Sequence, residues 1–523
     1  MTSRNTVDPM LCEHFDLHGK WRAERTAVVF GDVRLTWGEL AARLHQVANG
    51  LNSYGICAGH TVAVLIDNRL ETVEIMLGVM RSGAAVVPIS LVISDDAIRT
   101  QLLDCKPSAI IASPAEASRI SGMDGMSAIA AHQRVIVGGN APGWVEYSTW
   151  RNAQARTAPR SLPAPDDLCT ITYSSGTTGA PKGIAHSHRG RLAFAQQGAL
   201  ALRIHEDGVT ICSLGFYSNA TWLSLLSALV VGGTVVVEPG FQPERFLRTI
   251  EKVSATHLFL VPLQYRLLVE CPERASFDVS SLQVLAAAGA VMAAELKERI
   301  SDWVDCAFVE AYGLTEGFAT ILSDKDGRRK PTSVGRPMPG SDLKILTDEG
   351  VEAVTGEPGE IVGLSSLTMD YYFNRPDETA ASFWTDESGR QWLRTGDIGY
   401  LDEEGFLYLL DRKKDMIVSG GQNIFPIDIE TAAIAHPDIA QIAVIGVAHE
   451  KWGETPLAVI VPRNGARLDA DEMLSWINER VGKRQRVSFV AFRQSLPVNA
   501  LGKVLKRELR KQFAGTGVND LLA

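Results

Sequence analysis

A short run of glycine, serine and threonine that ends in a lysine is the part of the sequence best suited to holding phosphate. It extends from Tyr173 to Gly183 and reads YSSGTTGAPKG. Glycines allow a close approach of the backbone, and hydroxyls, amides and an ammonium supply many short hydrogen bonds to phosphate oxygens. The alternative interpretation is a flexible surface loop. We predict a polyphosphate site formed by Ser174, Ser175, Gly176, Thr177, Thr178, Gly179 and Lys182.

Two further segments carry groups that suit a nucleotide. The first, EAYGLTE, contains Tyr312, whose ring offers a face to a purine, Thr315, whose hydroxyl can bond a phosphate, and Glu316, a hard oxygen ligand for Mg²⁺. The second, WLRTGD, ends in Asp397, and a carboxylate at a strand end can accept both ribose hydroxyls. The alternative for Glu316, if the segment is taken alone, is a solvated carboxylate in a turn at a strand end.

These candidates are spaced along an alternation of short apolar runs and helical patterns. Segment 61–67 predicts a buried strand, segment 70–83 a helix that ends at Gly83, and segment 223–237 a buried helix, a turn and a strand. Such alternation predicts parallel sheets covered by helices. After Gly340 the strand candidates become shorter and are separated by Gly and Asp turns. The final segment, from about Arg412, could bury a small core of its own. We predict a large domain at 1–411 and a small one at 412–523.

Composition excludes several classes of protein. Net charge is −10, which gives no general attraction to nucleic acid, although the segment from Arg412 onward is locally basic, with 16 Lys and Arg against 12 Asp and Glu. The seven cysteines have no CxxC spacing, which indicates reduced thiols, no zinc site and a cytoplasmic location. No segment is apolar over a length that spans a bilayer, and the first ten residues lack a signal-peptide core.

The phosphate-loop sequence resembles the signature of the acyl-adenylate-forming superfamily, which includes acyl-CoA synthetases, peptide-synthetase adenylation domains and luciferases. The resemblance continues in order through YGLTE, RTGD and the final PVNALGK, from about residue 15 to residue 509. It implies an α/β fold, with a large N-terminal domain of αβαβα layers, a small β-barrel, and a mobile α+β C-terminal domain. It also implies that the protein uses ATP and Mg²⁺, with coenzyme A as a co-substrate.

The same resemblance assigns roles to further residues. Gly289 and Ala290 would lie along the adenine, and Arg412 would join Asp397 at the ribose. Lys414 would be the hinge between the domains, a role that suits its place at the predicted boundary. Lys503 would be the mobile catalytic lysine, because attack of a carboxylate on ATP joins two anions and requires a cation where charge builds up. Without the other motifs, the alternative is that Lys503 is simply one of several basic residues at the start of a helix.

The segment SGGQNIFPIDIE is similar to that of stand-alone CoA ligases, in which Gly420 and Gly421 would line the pantetheine tunnel. We also expect no carrier domain after residue 523, which favours CoA as the acceptor. We therefore predict an AMP-forming carboxylate–CoA ligase. One alternative is an enzyme that loads a separate carrier protein, and a remote alternative is a non-catalytic nucleotide-binding protein. A homodimer is compatible with the sequence.

The acyl pocket is expected around the segment GFYSNATW. Ser218 stands where many CoA ligases carry a histidine, and Asn219 stands where amino-acid-activating relatives carry an aspartate. Without a carboxylate for an α-ammonium, we do not expect an α-amino acid as substrate. Asparagine at this position resembles that of aryl-acid activators, in which it faces a ring hydroxyl, so the resemblance implies an aryl or medium-sized acid. The alternative for Asn219 is a cap on a helix that begins at Ala220. The predicted pocket residues are Tyr217, Ser218, Asn219, Trp222, Gly313 and Phe318.

Overall fold

The computed structural model describes residues 9–173, 181–290, 292–419, 422–449, 451–463, 465–483, 485–498 and 503–513. The chain forms two compact units. The first comprises residues 1–331, 337–342 and 364–393, and the second comprises residues 332–336, 343–363 and 394–523. The predicted domain boundary between Asp411 and Arg412 remains a prediction.

The strands, in chain order, are β1 Thr26–Phe30, β2 Val33–Thr36, β3 Thr61–Leu65, β4 Ala85–Pro88, β5 Ala109–Ala112, β6 Arg134–Ile136, β7 Val145–Glu146, β8 Leu168–Tyr173, β9 Gly183–Ser187, β10 Val209–Cys212, β11 Thr234–Val237, β12 His257–Leu260, β13 Val284–Ala287, β14 Ala307–Gly313, β15 Ala319–Leu322, β16 Arg336–Pro337, β17 Ser341–Leu346, β18 Gly359–Ser365, β19 Tyr371–Tyr372, β20 Phe383–Thr385, β21 Gln391–Leu401, β22 Leu407–Arg412, β23 Ile417–Ser419, β24 Gln422–Ile424, β25 Ile439–His449, β26 Gly453–Pro462 and β27 Phe489–Phe492.

The α-helices are α1 Leu11–Trp21, α2 Trp37–Ser53, α3 Leu70–Ser82, α4 Asp95–Cys105, α5 Pro114–Ile120, α6 Tyr147–Asn152, α7 His188–Ala201, α8 Asn219–Val230, α9 Pro243–Val253, α10 Pro262–Val269, α11 Ala294–Trp303, α12 Asp324–Arg329, α13 Pro376–Ala381, α14 Pro426–Ala433, α15 Ala470–Asn478 and α16 Lys506–Phe513. Short 3₁₀ turns lie at Met126–Ala128, Ala131–Gln133 and Pro272–Ser276. In the described ranges, no helix combines the length and the apolar character needed to cross a membrane.

Two large sheets organise the first unit. One has nine strands in the order β16-β15-β14-β13-β12-β10-β11-β1-β2, and the other has eight in the order β19-β9-β8-β4-β3-β5-β6-β7. Their interior pairings are parallel, and antiparallel pairs occur toward the edges, as at β14–β15 and β8–β9. The prediction of parallel sheets covered by helices is confirmed.

The helices pack on both faces of these sheets. One apolar core joins residues of both sheets to helices α1, α2, α3, α7 and α8, which places these helices in a middle layer. A second core packs α9, α10 and α11 on the outer face of the nine-stranded sheet, and a third packs α4 and α5 on the eight-stranded sheet. The order of layers is therefore αβαβα, as predicted.

Local chemistry explains where the predicted elements end. Helix α3 stops at Gly83, whose φ of 88° places it in the left-handed region that glycine adopts without a steric penalty. In segment 223–237, the buried end of α8 is followed by a turn at Gly232, with φ of 82°, and then by the buried strand β11. Both predictions are confirmed.

Most strands of the second unit belong to two smaller sheets. The strand candidates after Gly340 belong to a five-stranded sheet in the order β17-β18-β21-β20, in which β22 also pairs with β21. A further sheet has the order β24-β23-β26-β25, with β27 paired to β26. Helices α14 and α15 bury Ile429, Met473 and Ile477 against this sheet, in a core of the kind predicted for the C-terminal segment.

Candidate functional site

The predicted phosphate loop joins two antiparallel strands. Strand β8 ends at Tyr173 and β9 begins at Gly183, and these two residues are paired. The hydroxyl of Tyr173 donates to Asp104 at 2.7 Å, which anchors the end of β8. A Cβ on Gly183 would lie 2.8 Å from Ile171, so glycine is required for this close pairing. The six predicted loop residues, Ser174, Ser175, Gly176, Thr177, Thr178 and Gly179, lie outside the described residues.

Lys182 and Glu316 both contact the side chain of Tyr372. The Lys182 ammonium lies 4.8 Å from the centre of this ring, and the Tyr372 hydroxyl donates to the Glu316 carboxylate at 2.8 Å. Lys182 also forms an ion pair by distance with Glu378, at 2.8 Å. Burial, followed by the charge of Glu316, raises the pKa of Tyr372, so its hydroxyl keeps its proton. The structure thus brings a cation and a carboxylate from distant segments to one place.

The backbone around Glu316 is held in a tight turn. Leu314 donates to the carbonyl of Phe318 at 3.1 Å, and the Glu316 carbonyl accepts from Met369 at 2.7 Å. Gly317 has φ of 113°, and a Cβ there would lie 1.9 Å from the carbonyl oxygen of Leu367. Only glycine fits such a position. This turn contains both Thr315 and Glu316.

The described residues include no cluster of three or more metal-binding side chains. A single carboxylate such as Glu316 nevertheless fits Mg²⁺ that accompanies a nucleotide, because this ion usually takes one or two protein carboxylates and completes its shell with water and phosphate oxygens.

The proposed adenine contacts lie at one edge of the nine-stranded sheet. Strands β13 and β14 are parallel, with Ala287 opposite Glu310. Gly289 and Ala290 follow the end of β13, while Tyr312 and Gly313 close β14. The carboxyl ends of parallel strands commonly line ligand crevices. A Cβ on Gly313 would approach the Phe318 carbonyl oxygen to 2.8 Å, so the backbone there is closely packed.

Helix α8 begins one residue earlier than it would if Asn219 were its cap. The helix begins at Asn219, and Ser218 is its N-cap, with a hydroxyl that accepts from the Ala220 amide at 3.3 Å. The alternative in which Asn219 caps the helix is therefore wrong, because serine performs this role one residue earlier. Trp222 is fully buried and donates to the Phe216 carbonyl at 2.8 Å, and Phe318 is also fully buried. Burial raises the pKa of Tyr217.

A buried arginine that the sequence reasoning missed lies next to Asn219. Arg191, on α7, is fully buried and donates to the Asn219 side-chain oxygen at 2.7 Å and to Thr170 at 2.7 Å. The rings of Phe194 and Trp222 lie 5.1 and 5.6 Å from its guanidinium carbon. Burial lowers the pKa of Arg191 to about 10. The available signal was an arginine followed directly by the apolar run LAFA.

The second unit brings the predicted ribose and catalytic residues together. Asp397 of β21 is paired in register with Arg412 of β22, and their side chains form an ion pair at 3.1 Å. Asp397 is only 6% exposed. Burial, and then the charge of Arg412, lowers the pKa of Lys503, while Asp397 acts in the opposite direction. Burial and the same arginine lower the pKa of Lys414 to about 8. Three cations and the carboxylates of Asp397, Asp411 and Asp415 therefore share one electrostatic environment.

The segments around these residues also have defined partners. Lys414 lies in a turn between β22 and β23. Lys503 precedes Val504, which bridges Val498, and the Leu505 amide donates to Pro497 at 2.8 Å. Gly420 and Gly421 lie outside the described residues, between the end of β23 and the start of β24.

Comparison with known proteins identifies relatives along nearly the whole chain. The model of the AMP-binding enzyme family matches residues 15–373, and that of the AMP-binding enzyme C-terminal domain matches residues 428–503. A feruloyl-CoA synthase from Amycolatopsis sp is 33% identical over 508 residues, which cover 95% of this chain and 99% of that protein. An indoleacetate–CoA ligase from Aromatoleum aromaticum is 32% identical, with coverages of 96% and 98%.

Solved structures are also similar to this chain over nearly its whole length. The ATP-bound MatB from Rhodopseudomonas palustris superposes with a TM-score of 0.87 at 25% identity and covers 96% of this chain and 99% of its own. The o-succinylbenzoate CoA synthetase from Bacillus subtilis, in complex with its acyl-adenylate intermediate, has a TM-score of 0.84 at 27% identity, with coverages of 97% and 99%.

Proposed function

Because this chain belongs to the AMP-binding enzyme family, we propose that it joins an aryl or medium-sized carboxylic acid to coenzyme A. The reaction class is that of an AMP-forming acid–thiol ligase, as predicted from the sequence. The acid and ATP give acyl-AMP and pyrophosphate, and acyl-AMP and CoA then give acyl-CoA and AMP. ATP and CoA are its co-substrates, as predicted.

The observation that carries the assignment of residues is the environment of Lys503. The charges of Asp397 and Arg412, the pair proposed for the ribose, both act on the pKa of this lysine. Its ammonium would stabilise the negative charge that develops as the acid carboxylate attacks the α-phosphate. Asp397 would accept the ribose hydroxyls while Arg412 holds its carboxylate in place.

The first unit would supply the contacts to adenine and phosphate. Tyr312 and the backbone at Gly289 and Ala290 would flank the base, and Lys182 and Thr315 would bind phosphate oxygens. Glu316, oriented by Tyr372, would hold Mg²⁺, which neutralises phosphate charge when bound. The Ser174–Gly179 stretch would supply hydroxyl and amide donors to the same phosphates.

The second half-reaction would follow a rotation about Lys414, which would bring Gly420 and Gly421 to the pantetheine tunnel. In the present structure, Asp411 accepts from the Ile427 amide at 3.3 Å and lies 3.9 Å from the Lys506 ammonium. A rotation at Lys414 would break these contacts, since they join residues on its two sides.

The substrate class rests on Asn219. No ammonium-binding carboxylate stands at this position, so an α-amino acid would lack its partner. Two of the relatives are named for feruloyl and indoleacetate groups, both of which contain an aromatic ring. Tyr217, Ser218, Trp222, Gly313 and Phe318 would complete the pocket.

A substrate screen tests this proposal. Aryl, cinnamic, medium-chain and short acids are incubated with ATP and Mg²⁺, with and without CoA, while pyrophosphate, AMP and acyl-CoA are measured. We expect acid-dependent pyrophosphate release, and acyl-CoA formation only when CoA is present. Adenylation without transfer to CoA would instead favour a carrier protein as the acceptor, and a complete lack of adenylation would favour the non-catalytic alternative.

We also propose a cytoplasmic location, since all seven cysteines are free thiols. A homodimer remains a prediction, which light scattering coupled to size-exclusion chromatography would test.

A further inference from the structure

Glu378 pairs with the Lys182 ammonium, the cation that we propose for phosphate. The Oε2 atom of Glu378 lies 2.8 Å from the Lys182 Nζ atom, and the ring centre of Tyr372 lies 4.8 Å from the same nitrogen. This oxygen is buried, and its contact with the ammonium is an ion pair that lacks the angles of a hydrogen bond. A cation suited to phosphate thus has an anionic partner within the protein itself.

Main-chain contacts keep the Glu378 carboxylate near Lys182. Strand β19 is an antiparallel neighbour of β9, which begins directly after Lys182. The Phe373 amide, just beyond β19, donates to the Gly183 carbonyl at 2.7 Å. Thr379, beside Glu378 in α13, accepts from the last amide of β19 at 3.0 Å. The helix that carries the carboxylate is therefore tied to the strand that follows the lysine.

Arg375 gives Glu378 a second cation. Its Nε atom lies 3.7 Å from Glu378 and its Nη1 atom 3.6 Å from Asp104, which also accepts from the Tyr173 hydroxyl at 2.7 Å. The charges alternate along the row Asp104, Arg375, Glu378 and Lys182. Because Arg375 stays beside the carboxylate, a phosphate group that takes Lys182 does not leave Glu378 without a cation. Exchange of the lysine between the two anions therefore avoids the penalty of an unpaired charge.

The proposed reaction requires the phosphate site both to bind an anion and to release one. ATP arrives as a triphosphate, and adenylation leaves pyrophosphate, which must depart. Lys503 is proposed to act at the α-phosphate, so Lys182 is left for the β- and γ-phosphates, which become pyrophosphate. Phosphate oxygens form strong charge-assisted hydrogen bonds with an ammonium, whereas Glu378 offers it a weaker, partly exposed ion pair. The two anions therefore compete for one cation.

We propose that Glu378 is a positioning residue that takes up the Lys182 ammonium as pyrophosphate leaves, and so lowers the affinity of the enzyme for ATP and pyrophosphate. This inference rests on the proposed function, because it assumes that Lys182 binds the phosphates of ATP. It goes beyond that function by giving the site an internal competitor for its anionic ligands. The alternative role of Glu378 is purely structural, as an acidic residue in the first turn of α13.

Glu378→Gln tests this role through the sign of the change. Affinity for ATP and Mg²⁺ is measured by calorimetric titration without acid, and that for pyrophosphate as its inhibition constant in adenylation. We expect ATP and pyrophosphate each to bind about two- to fivefold more tightly, as the loss of one partly exposed competing ion pair would give. A purely structural role predicts the opposite sign, because a disturbed helix α13 would weaken the site.

Two comparisons make the effect specific. Asp377→Asn removes the same charge from the same turn of α13 at an exposed position, so both affinities should stay as in the wild type. In a Lys182→Gln background, Glu378→Gln should cause no further change in either affinity, because the cation for which the carboxylate competes is gone.

The outcomes are distinct. The inference is overturned if Glu378→Gln leaves both affinities unchanged or weakens them, or if Asp377→Asn tightens them equally. It is also overturned if the tightening persists in the Lys182→Gln background. In each of these cases a wild-type enzyme that adenylates its acid leaves the proposed function standing. A wild-type enzyme that releases no pyrophosphate with any acid of the screen overturns the proposed function, whereas the ATP titrations need no acid and decide the role of Glu378 separately.

Discussion

Replacing Lys503 with alanine should separate the two half-reactions. The charges of Arg412 and Lys414, and those of Asp397, Asp411 and Asp415, all act on this side chain. Its removal leaves the ion pair of 3.1 Å between Asp397 and Arg412 in place, so ATP should still bind. The lost group is a preorganised charge in the transition state for adenylation, and such a loss costs about 10²–10³-fold in kcat.

The assay measures pyrophosphate release for the first half-reaction, and thioester formation from pre-made acyl-adenylate and CoA for the second. We expect a loss of about 10²–10³-fold in the first and a much smaller loss in the second. Lys511→Ala is the matched control, since Lys511 lies on α16, is largely exposed and pairs with Glu508 at 2.8 Å. An equal loss in both half-reactions would refute the role of Lys503 as a cation specific to adenylation.

The pH dependence of adenylation follows from the same environment. Burial and Arg412 lower the pKa of Lys503 below its ordinary 10.5, and adenylation needs the protonated form. Adenylation should therefore decline as pH rises through a value below 10.5, and this alkaline limb should be absent from the residual activity of Lys503→Ala. An alkaline limb that persists in the variant would assign it to another group.

Three further variants test the remaining parts of the site. Asp397→Ala should weaken ATP binding by roughly 1.5–3 kcal/mol, because the ribose hydroxyls lose a charged acceptor and Arg412 loses its partner; calorimetric titration with ATP measures this, and unchanged affinity in a folded variant would move the ribose site elsewhere. Lys414→Pro should restrict the hinge, so CoA-dependent turnover should collapse while adenylation survives; an unaltered ratio of the two rates, at a normal melting temperature, would reject the hinge. Tyr372→Phe should raise the Mg²⁺ concentration needed for half-maximal adenylation severalfold, because Glu316 loses the hydrogen bond of 2.8 Å that orients it, and an unchanged Mg²⁺ titration would contradict that role.

Local pattern was sufficient to predict much of the fold. The apolar period of α3 and the glycine after it are properties of adjacent residues, so both the helix and its end at Gly83 could be predicted. The αβαβα order followed from the alternation of elements together with the resemblance. At Asn219, the interpretation as a helix cap failed because Ser218, an equally good cap, stands one residue earlier.

The side-chain partners of the site could not be predicted in this way. Tyr372 and Glu316 are 56 positions apart, and Arg191 and Asn219 are 28 positions apart. Their contacts depend on how distant elements pack, which periodicity does not encode. In contrast, Asp397 and Arg412 were each identified from short motifs, and the antiparallel pairing of β21 with β22 brings them face to face.

The turn at Gly317 has a consequence for how this enzyme could change its substrate range. The backbone there leaves no room for any side chain, because a Cβ would lie 1.9 Å from the carbonyl oxygen of Leu367. The proposed nucleotide end of the site therefore includes a main-chain position that tolerates little variation. At the acid end, the Asn219–Arg191 contact is made by side chains alone, which substitution can alter without moving the backbone. Directed evolution of acid specificity should therefore begin at this pair, with the glycine turn left unaltered.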